Sequence, residues 1–249
     1  MKITSVNNDL IKEVTKLQQR KYRDESGLFL LEGDKCIEEA IEYGIKIKHL
    51  FVKEGYEKFN KSDSKTEVTE AVLAKISTTS TPPKAVAVGY QRENKWNDNF
   101  KKVILLEDIK DAGNLGTILR TACAFNADAI ILYGETVDLY NPKCVRASVG
   151  NLWKIPVFTI KSFEELQSMC GNYTPIATLP KADDTVWLSE FKIPQKSLIM
   201  FGTESSGLSD TLKEYAIRNG ASITIEMSTN VESLNLSLSV GIILYKLYI

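Results

Sequence analysis

K-V-I-L-L-E-D-I-K-D-A-G-N-L-G-T-I-L-R, residues Lys102–Arg120, joins an unbroken apolar run to a glycine-bearing turn and then to a helical pattern. Val103–Leu106 shows no polar–apolar alternation, so it reads as a strand buried on both faces. Gly113 and Gly116 let the backbone turn and approach a ligand closely, and the helix expected over Thr117–Phe125 offers its N-terminal amides. The spacing is neither G-x-G-x-x-G nor G-x-x-x-x-G-K-[ST], so the ordinary dinucleotide and triphosphate loops lack their residues here.

The pattern repeats downstream. Apolar runs recur at Ala129–Leu132, Ile155–Ile160, Thr174–Thr178, Leu198–Phe201 and Ile223–Met227, with helices expected over Phe163–Cys170 and Leu212–Ile217. Strands buried on both faces and alternating with helices predict an α/β fold with an open parallel sheet. The C-terminal segment is ambiguous. Leu234, Leu236, Leu238 and Val240 alternate like a strand, while Leu234, Leu238 and Ile242, beside Ser233, Ser237 and Gly241, form two stripes at i, i+4. A helix is preferred, because the small-residue stripe lets its backbone pack closely.

Upstream, Asn8–Leu17 reads as a helix, Leu28–Leu31 as a compact apolar run and Asp34–Tyr43 as an amphipathic helix. His49–Lys53 and Ala85–Tyr90 read as strands, Ala71–Ile76 as a short helix and Ser77–Pro83 as a loop. The polar stretch Gln91–Lys102 marks a boundary. Two domains are expected, over 1–94 and 102–249.

The chain has 249 residues, with 31 Lys and Arg against 32 Asp and Glu, a formal net charge of -1. That excludes nucleic-acid binding by bulk charge alone but leaves room for a local basic patch. Such a patch is visible: the first 23 residues carry Lys2, Lys12, Lys16, Arg20, Lys21 and Arg23 against Asp9 and Glu13. Taken by itself, that segment is better explained as a solvated helix with snorkelling lysines. There is one histidine, His49, so a mechanism needing a His pair or a Ser-His-Asp triad must use it. Cys36, Cys123, Cys144 and Cys170 form no C-x-x-C and have no neighbouring His, which argues against a metal site and for reduced thiols. The N-terminus lacks an apolar signal core and no run reaches a membrane span, so a cytoplasmic protein with no membrane partner is expected.

Ligands of an open parallel sheet bind beyond the carboxyl ends of its strands. Three loops there stand out. The first carries N-x-G-x-x-x-R, Asn114 to Arg120, although a lone helical Arg is more often a surface residue. The second, G-x-E-x-x-G, brackets Glu204 between Gly202 and Gly207, which an ordinary tight turn also explains. The third runs from I-x-M at Ile225 and Met227 to S-L-N-x-S at Ser233–Ser237, where Ser233 and Asn235 could simply cap a helix.

In that order and combination the three motifs resemble those of the SpoU/TrmH family of RNA ribose 2′-O-methyltransferases. N-P-K-C-V-R-A-S-V-G (Asn141–Gly150) followed by L-W-K-I-P-V looks like the ribosomal-RNA members, and the N-terminal part looks like their small ribosomal-protein-like substrate-binding domain. The resemblance implies a deep trefoil knot in the C-terminal domain, a homodimer, and S-adenosylmethionine held at Thr178, Leu179, Gly202, Ile225 and Leu234. It also implies a catalytic set of Arg120, Asn114, Glu204, Ser233 and Asn235. Methyl transfer to a 2′-hydroxyl needs alignment and removal of one proton, with neither metal nor histidine. Arg120 as a literal base would need unusual stabilisation, since a guanidinium is almost never neutral; clamping an RNA phosphate asks less of it.

The chain departs from the usual pattern at Ala112-Gly113, at Ser205 and at Glu226, which adds a negative charge beside the expected cofactor loop. Ribosomal RNA is preferred over transfer RNA because of the extra N-terminal domain. A catalytically idle RNA-binding relative is opposed by the intact motif residues, and an enzyme for an unrelated nucleotide by the absent phosphate loops.

Overall fold

A computed structural model describes residues 2–59, 64–182, 185–203, 206–228, 230–231 and 233–248. The chain divides into two compact units, Met1–Glu93 with Asp138–Lys154, and Asn94–Val137 with Ile155–Ile249. In chain order the elements begin β1 (Lys2–Ile3), α1 (Asp9–Lys16), α2 (Arg20–Ser26), β2 (Leu28–Glu32), α3 (Asp34–Glu42) and β3 (Ile47–Lys53). They continue with β4 (Lys65–Val68), α4 (Glu70–Ile76), β5 (Ala85–Tyr90), β6 (Lys102–Glu107), α5 (Ala112–Ala124), β7 (Ala129–Tyr133) and α6 (Pro142–Ala147). The remainder is β8 (Val157–Ile160), α7 (Phe163–Cys170), β9 (Thr174–Thr178), β10 (Val186–Trp187), β11 (Ser197–Phe201), α8 (Asp210–Asn219), β12 (Ala221–Thr224) and α9 (Leu236–Tyr248).

The first unit is a mixed sheet in the order β1-β4-β3-β5-β2, with β5 antiparallel to both β2 and β3. Ile11 and Val14 of α1, and Leu17 just after it, share a core with Phe51, Val86 and Val88, and Asn8 caps α1 by accepting a hydrogen bond from Leu10 N–H. Residues 138–154 belong to this unit, although the polar boundary at Gln91–Lys102 predicted only 1–94 for it. Asn141 caps α6 and Pro142 starts it. The segment is anchored through Phe29, whose ring centroid lies 4.8 Å from Tyr140 and 5.4 Å from Trp153. A buried ion pair adds to this: Arg23 donates from Nε to Asp138 Oδ2 at 2.6 Å, with Nη2 also 2.6 Å from that oxygen, and from Nη1 to the Leu17 carbonyl. Arg23, counted above with the basic front segment, is therefore 1% exposed and cannot meet an RNA.

The second unit is a wholly parallel sheet in the order β10-β12-β9-β11-β6-β7-β8. Val103, Leu105, Ala129, Ile131, Leu198 and Met200 place their side chains on one face, against Leu166 of α7 and Leu212 and Ala216 of α8. By alternation the intervening residues serve the other face, which is why the runs read as continuously apolar. β6 lies between β7 and β11, so the chain reverses its direction of growth at β6, and a crevice is expected there. The C-terminal segment is helical, as α9, and packs on α5. Several expected bounds move, three of them near the candidate loops or the sheet edge. α5 begins at Ala112 rather than Thr117, β8 at Val157 rather than Ile155, and β12 ends at Thr224, leaving Ile225 and Met227 in a loop. No described helix is long and apolar enough to cross a membrane.

Candidate functional site

The loops beyond β9, β11 and β12 enclose a cavity of about 400 Å³ within the second unit. Thr178 closes β9 and donates its hydroxyl to the Met200 carbonyl at 2.9 Å, tying two strand ends together. Leu179 N–H then donates to Ile223 O at 3.0 Å, which carries the backbone across to β12. Gly202 follows β11. A Cβ there would lie 2.0 Å from the Gly207 carbonyl carbon and 2.1 Å from Leu208 N, so only glycine lets the loop fold back on itself. The loop is closed by paired backbone hydrogen bonds between Thr203 and Gly207 and by a 2.7 Å contact between the Thr203 and Ser206 hydroxyls. Gly207 has φ +68°, a conformation glycine adopts without strain.

All five residues expected at the cofactor, Thr178, Leu179, Gly202, Ile225 and Leu234, line this one cavity, and Ser233 lines it too. Asn114 and Asn235 meet through a hydrogen bond, Nδ2 of Asn235 donating to Oδ1 of Asn114 at 3.2 Å. Asn235 is also the cap of α9, its Oδ1 accepting from Ser237 N–H and hydroxyl. Asn114 sits inside the first turn of α5, where Asp111 Oδ1 accepts from its N–H at 2.8 Å. Arg120 is not among the cavity-lining residues. It stands exposed on α5, about 120° round the axis from Asn114 at 100° per residue. No ion pair engages it among the described residues. Glu204 and Ser205 lie outside the described residues.

The structure adds residues that the motifs did not supply. Glu107, 5% exposed at the end of β6, accepts a hydrogen bond from Ser209 N–H at 2.7 Å and so pins the far end of the glycine loop. Its only signal in the sequence was an acid closing an apolar run. Lys213 of α8 lines the cavity, and Ser239 and Ile243 reach it from α9. Glu226 is exposed and does not line the cavity; it accepts from Ser189 N–H at 3.0 Å. The Ser189 hydroxyl first, then this N–H and Lys246, hold its carboxyl below the usual range. The extra charge is thus committed to a loop contact.

A cavity of this size falls within the range of small-molecule sites, about 300–1,000 Å³, and combines apolar walls with strand-end backbone groups. Leu179, Leu208, Leu234 and Ile243 suit an adenine, and the missing Cβ at Gly202 leaves the close backbone approach such a ligand needs. Among the described residues no cluster of three or more His, Cys, Asp or Glu could hold a metal ion.

Residues 101–245 match the SpoU rRNA Methylase family. The chain belongs to that family. Residues 8–87 match the MRM3-like substrate binding domain. This SpoU family member is 32% identical, over 98% of its length and 92% of the relative's, to an uncharacterized tRNA/rRNA methyltransferase of Synechocystis. It is 28% identical, over 98% of both chains, to the 23S rRNA (guanosine(2553)-2′-O)-methyltransferase RlmP of Bacillus subtilis. In structure it is similar to the AdoMet-bound rRNA methyltransferase of Sinorhizobium meliloti, with a TM-score of 0.87 and 29% identity over 99% of this chain and 96% of that one.

Proposed function

We propose that this SpoU family member transfers a methyl group from S-adenosylmethionine to a ribose 2′-hydroxyl of ribosomal RNA. The single observation that carries the reading is the convergence of Thr178, Leu179, Gly202, Ile225 and Leu234 on one cavity beside the Asn114–Asn235 contact. The names of the relatives, 23S rRNA 2′-O-methyltransferases among them, support ribosomal RNA as the substrate class.

S-adenosylmethionine, when bound, supplies a methyl group already activated by its sulfonium charge. The chain's own residues then have to bind, orient and deprotonate. Leu179, Leu234 and the backbone at Gly202 and Ile225 would hold the cofactor's nucleoside, and Lys213 would offer an ammonium to its carboxylate. Ser233 stands at the cavity lining with Asn235 two residues on, where both can orient a ribose. Glu204 is proposed for the same cluster from its motif position. Arg120, cationic and without an ion pair among the described residues, clamps an RNA phosphate and favours loss of the hydroxyl proton to solvent water.

The knot is part of the same proposal: the described residues 225–228 and 233–235 would belong to the threaded segment. So is the homodimer, for which α9 supplies an exposed stripe, Leu238 (59% exposed), Ile242 (41%) and Tyr245 (61%), at i, i+4, i+7.

Methyl-labelled S-adenosylmethionine incubated with the protein and unmodified ribosomal RNA tests the reading, with 2′-O-methyl positions mapped afterwards. Label is expected at a defined ribose. Cofactor binding without transfer to any RNA would favour the idle relative, and no cofactor binding would sink the proposal. Arg120→Ala is expected to lower transfer at least a hundredfold, in line with loss of one transition-state contact, while cofactor affinity stays within about twofold.

A further inference from the structure

The mechanism leaves His49 and the lysines of the front segment unused, and the first unit brings them together. A cavity of about 270 Å³ opens beside α1 and α2, just below the size at which drug-sized ligands sit. Its apolar floor includes Val14, Leu17, Leu28 and Val88, and Tyr22 and His49 stand in its wall. Burial lowers the pKa of His49, with Lys48 adding to the effect and Glu13 opposing it, so the ring is neutral at pH 7. Lys16 and Lys48 line the same opening, and neither forms an ion pair among the described residues. Lys16 Nζ lies 5.5 Å from the Tyr22 ring centroid and Lys21 Nζ lies 5.9 Å from it. Two acids are also present: Glu25 is drawn to Lys21 at 3.9 Å, and Glu13 lines the opening, where its carboxylate can accept from a base amine.

We infer that this cavity takes one unstacked RNA nucleotide, its base against Tyr22 and His49 and its flanking phosphates on Lys16 and Lys48. An aromatic wall over an apolar floor suits the face of a base, while cations without an ion pair among the described residues suit phosphate; a duplex, whose bases stay stacked, cannot use the floor. The inference rests on the RNA substrate proposed above and deepens it, since the match to a substrate-binding domain at residues 8–87 contains nearly every lining residue.

The test titrates the full-length protein with a mixed-sequence single-stranded octaribonucleotide and, separately, with the same octamer annealed to its complement. As the only histidine of the chain, His49 gives an isolated imidazole NMR signal. That signal is expected to shift with the single strand and to stay in place with the duplex. Tyr22→Ala should weaken single-strand binding about five- to hundredfold, the range for losing one stacked base, and Tyr22→Phe should restore it. The exposed change Lys16→Glu should weaken binding and flatten the salt dependence without unfolding the protein. An unmoved His49 signal at saturating single strand, equal shifts with the duplex, or Tyr22→Ala within twofold of the unaltered protein would each overturn the inference. The methylation assay separates the two readings. Normal transfer by Tyr22→Ala with unchanged RNA affinity removes this site alone, whereas a shifted His49 signal with no transfer removes the catalytic reading and leaves the site.

Discussion

Gly202 shows how much one absent side chain can decide. The loop after β11 returns so tightly that an added Cβ would lie 2.0 Å from the backbone of Gly207, and backbone cannot move aside as a flexible side chain would. Gly202→Ala is therefore expected to spread the loop and to reduce S-adenosylmethionine affinity at least tenfold by calorimetry. Gly207→Ala meets open space and only backbone strain, about 1 kcal/mol, so its effect on affinity should be clearly smaller. The G-x-E-x-x-G spacing announced that a turn was needed, but not that Gly202 and Gly207 touch. The same limit hid Glu107: its worth lies in a 2.7 Å contact to Ser209, 102 positions away in the chain, which no local pattern encodes.

At the scale of elements, the long apolar strands were legible because burial on both faces leaves an unbroken run, whereas β4, with its sequence Lys-Thr-Glu-Val, and the two-residue β10 were not. The start of α5 was missed because Gly113 and Asn114 are weak helix formers, while Asp111 caps the helix and favours an earlier entry. The Ser237–Gly241 small stripe, by contrast, announced α9 correctly, and Gly241 does face Thr121 of α5. On the outer side of α9, Leu238→Glu with Tyr245→Glu should convert the proposed dimer into monomers by light scattering; an unchanged mass would remove α9 from the interface. The segment 138–154 makes its own prediction. Arg23→Ala or Asp138→Ala leaves one charge buried without its partner and should cost about 3–5 kcal/mol in urea unfolding. Replacing both, by Met and Leu, should cost less than the two single changes added together.

Across the whole molecule the perturbed acids of the interior share one sign. Burial raises the thiols of Cys36 and Cys170 to about 12, and that of Cys144 higher still, from an ordinary value of 9.0. It raises the Tyr173 hydroxyl to about 12 from 10.0, and Tyr248 moves the same way. An unfolded chain would release these protons from about pH 9 upward while the folded chain keeps them, so the folded state binds more protons there and stability falls as pH rises. Denaturant midpoints are expected to hold steady up to about pH 8.5 and to drop progressively from pH 9 to 11. A flat profile would mean that the thiols are reachable by solvent. Alkylation offers a second check: Cys144 and Cys170 should resist iodoacetamide in the folded protein at pH 8 and react once it is unfolded.

The discontinuous first unit also bears on how the chain is made. A growing polypeptide that has passed the polar linker at Gln91–Lys102 still lacks the rings that cover Phe29 and the carboxylate that neutralises Arg23. Both arrive only with residues 138–154, after β6, α5 and β7 have been synthesised. Folding at the ribosome therefore cannot finish one half before starting the other. A gene cut at the apparent linker would yield a first fragment with an open seam, prone to aggregate and not a free-standing substrate-binding module.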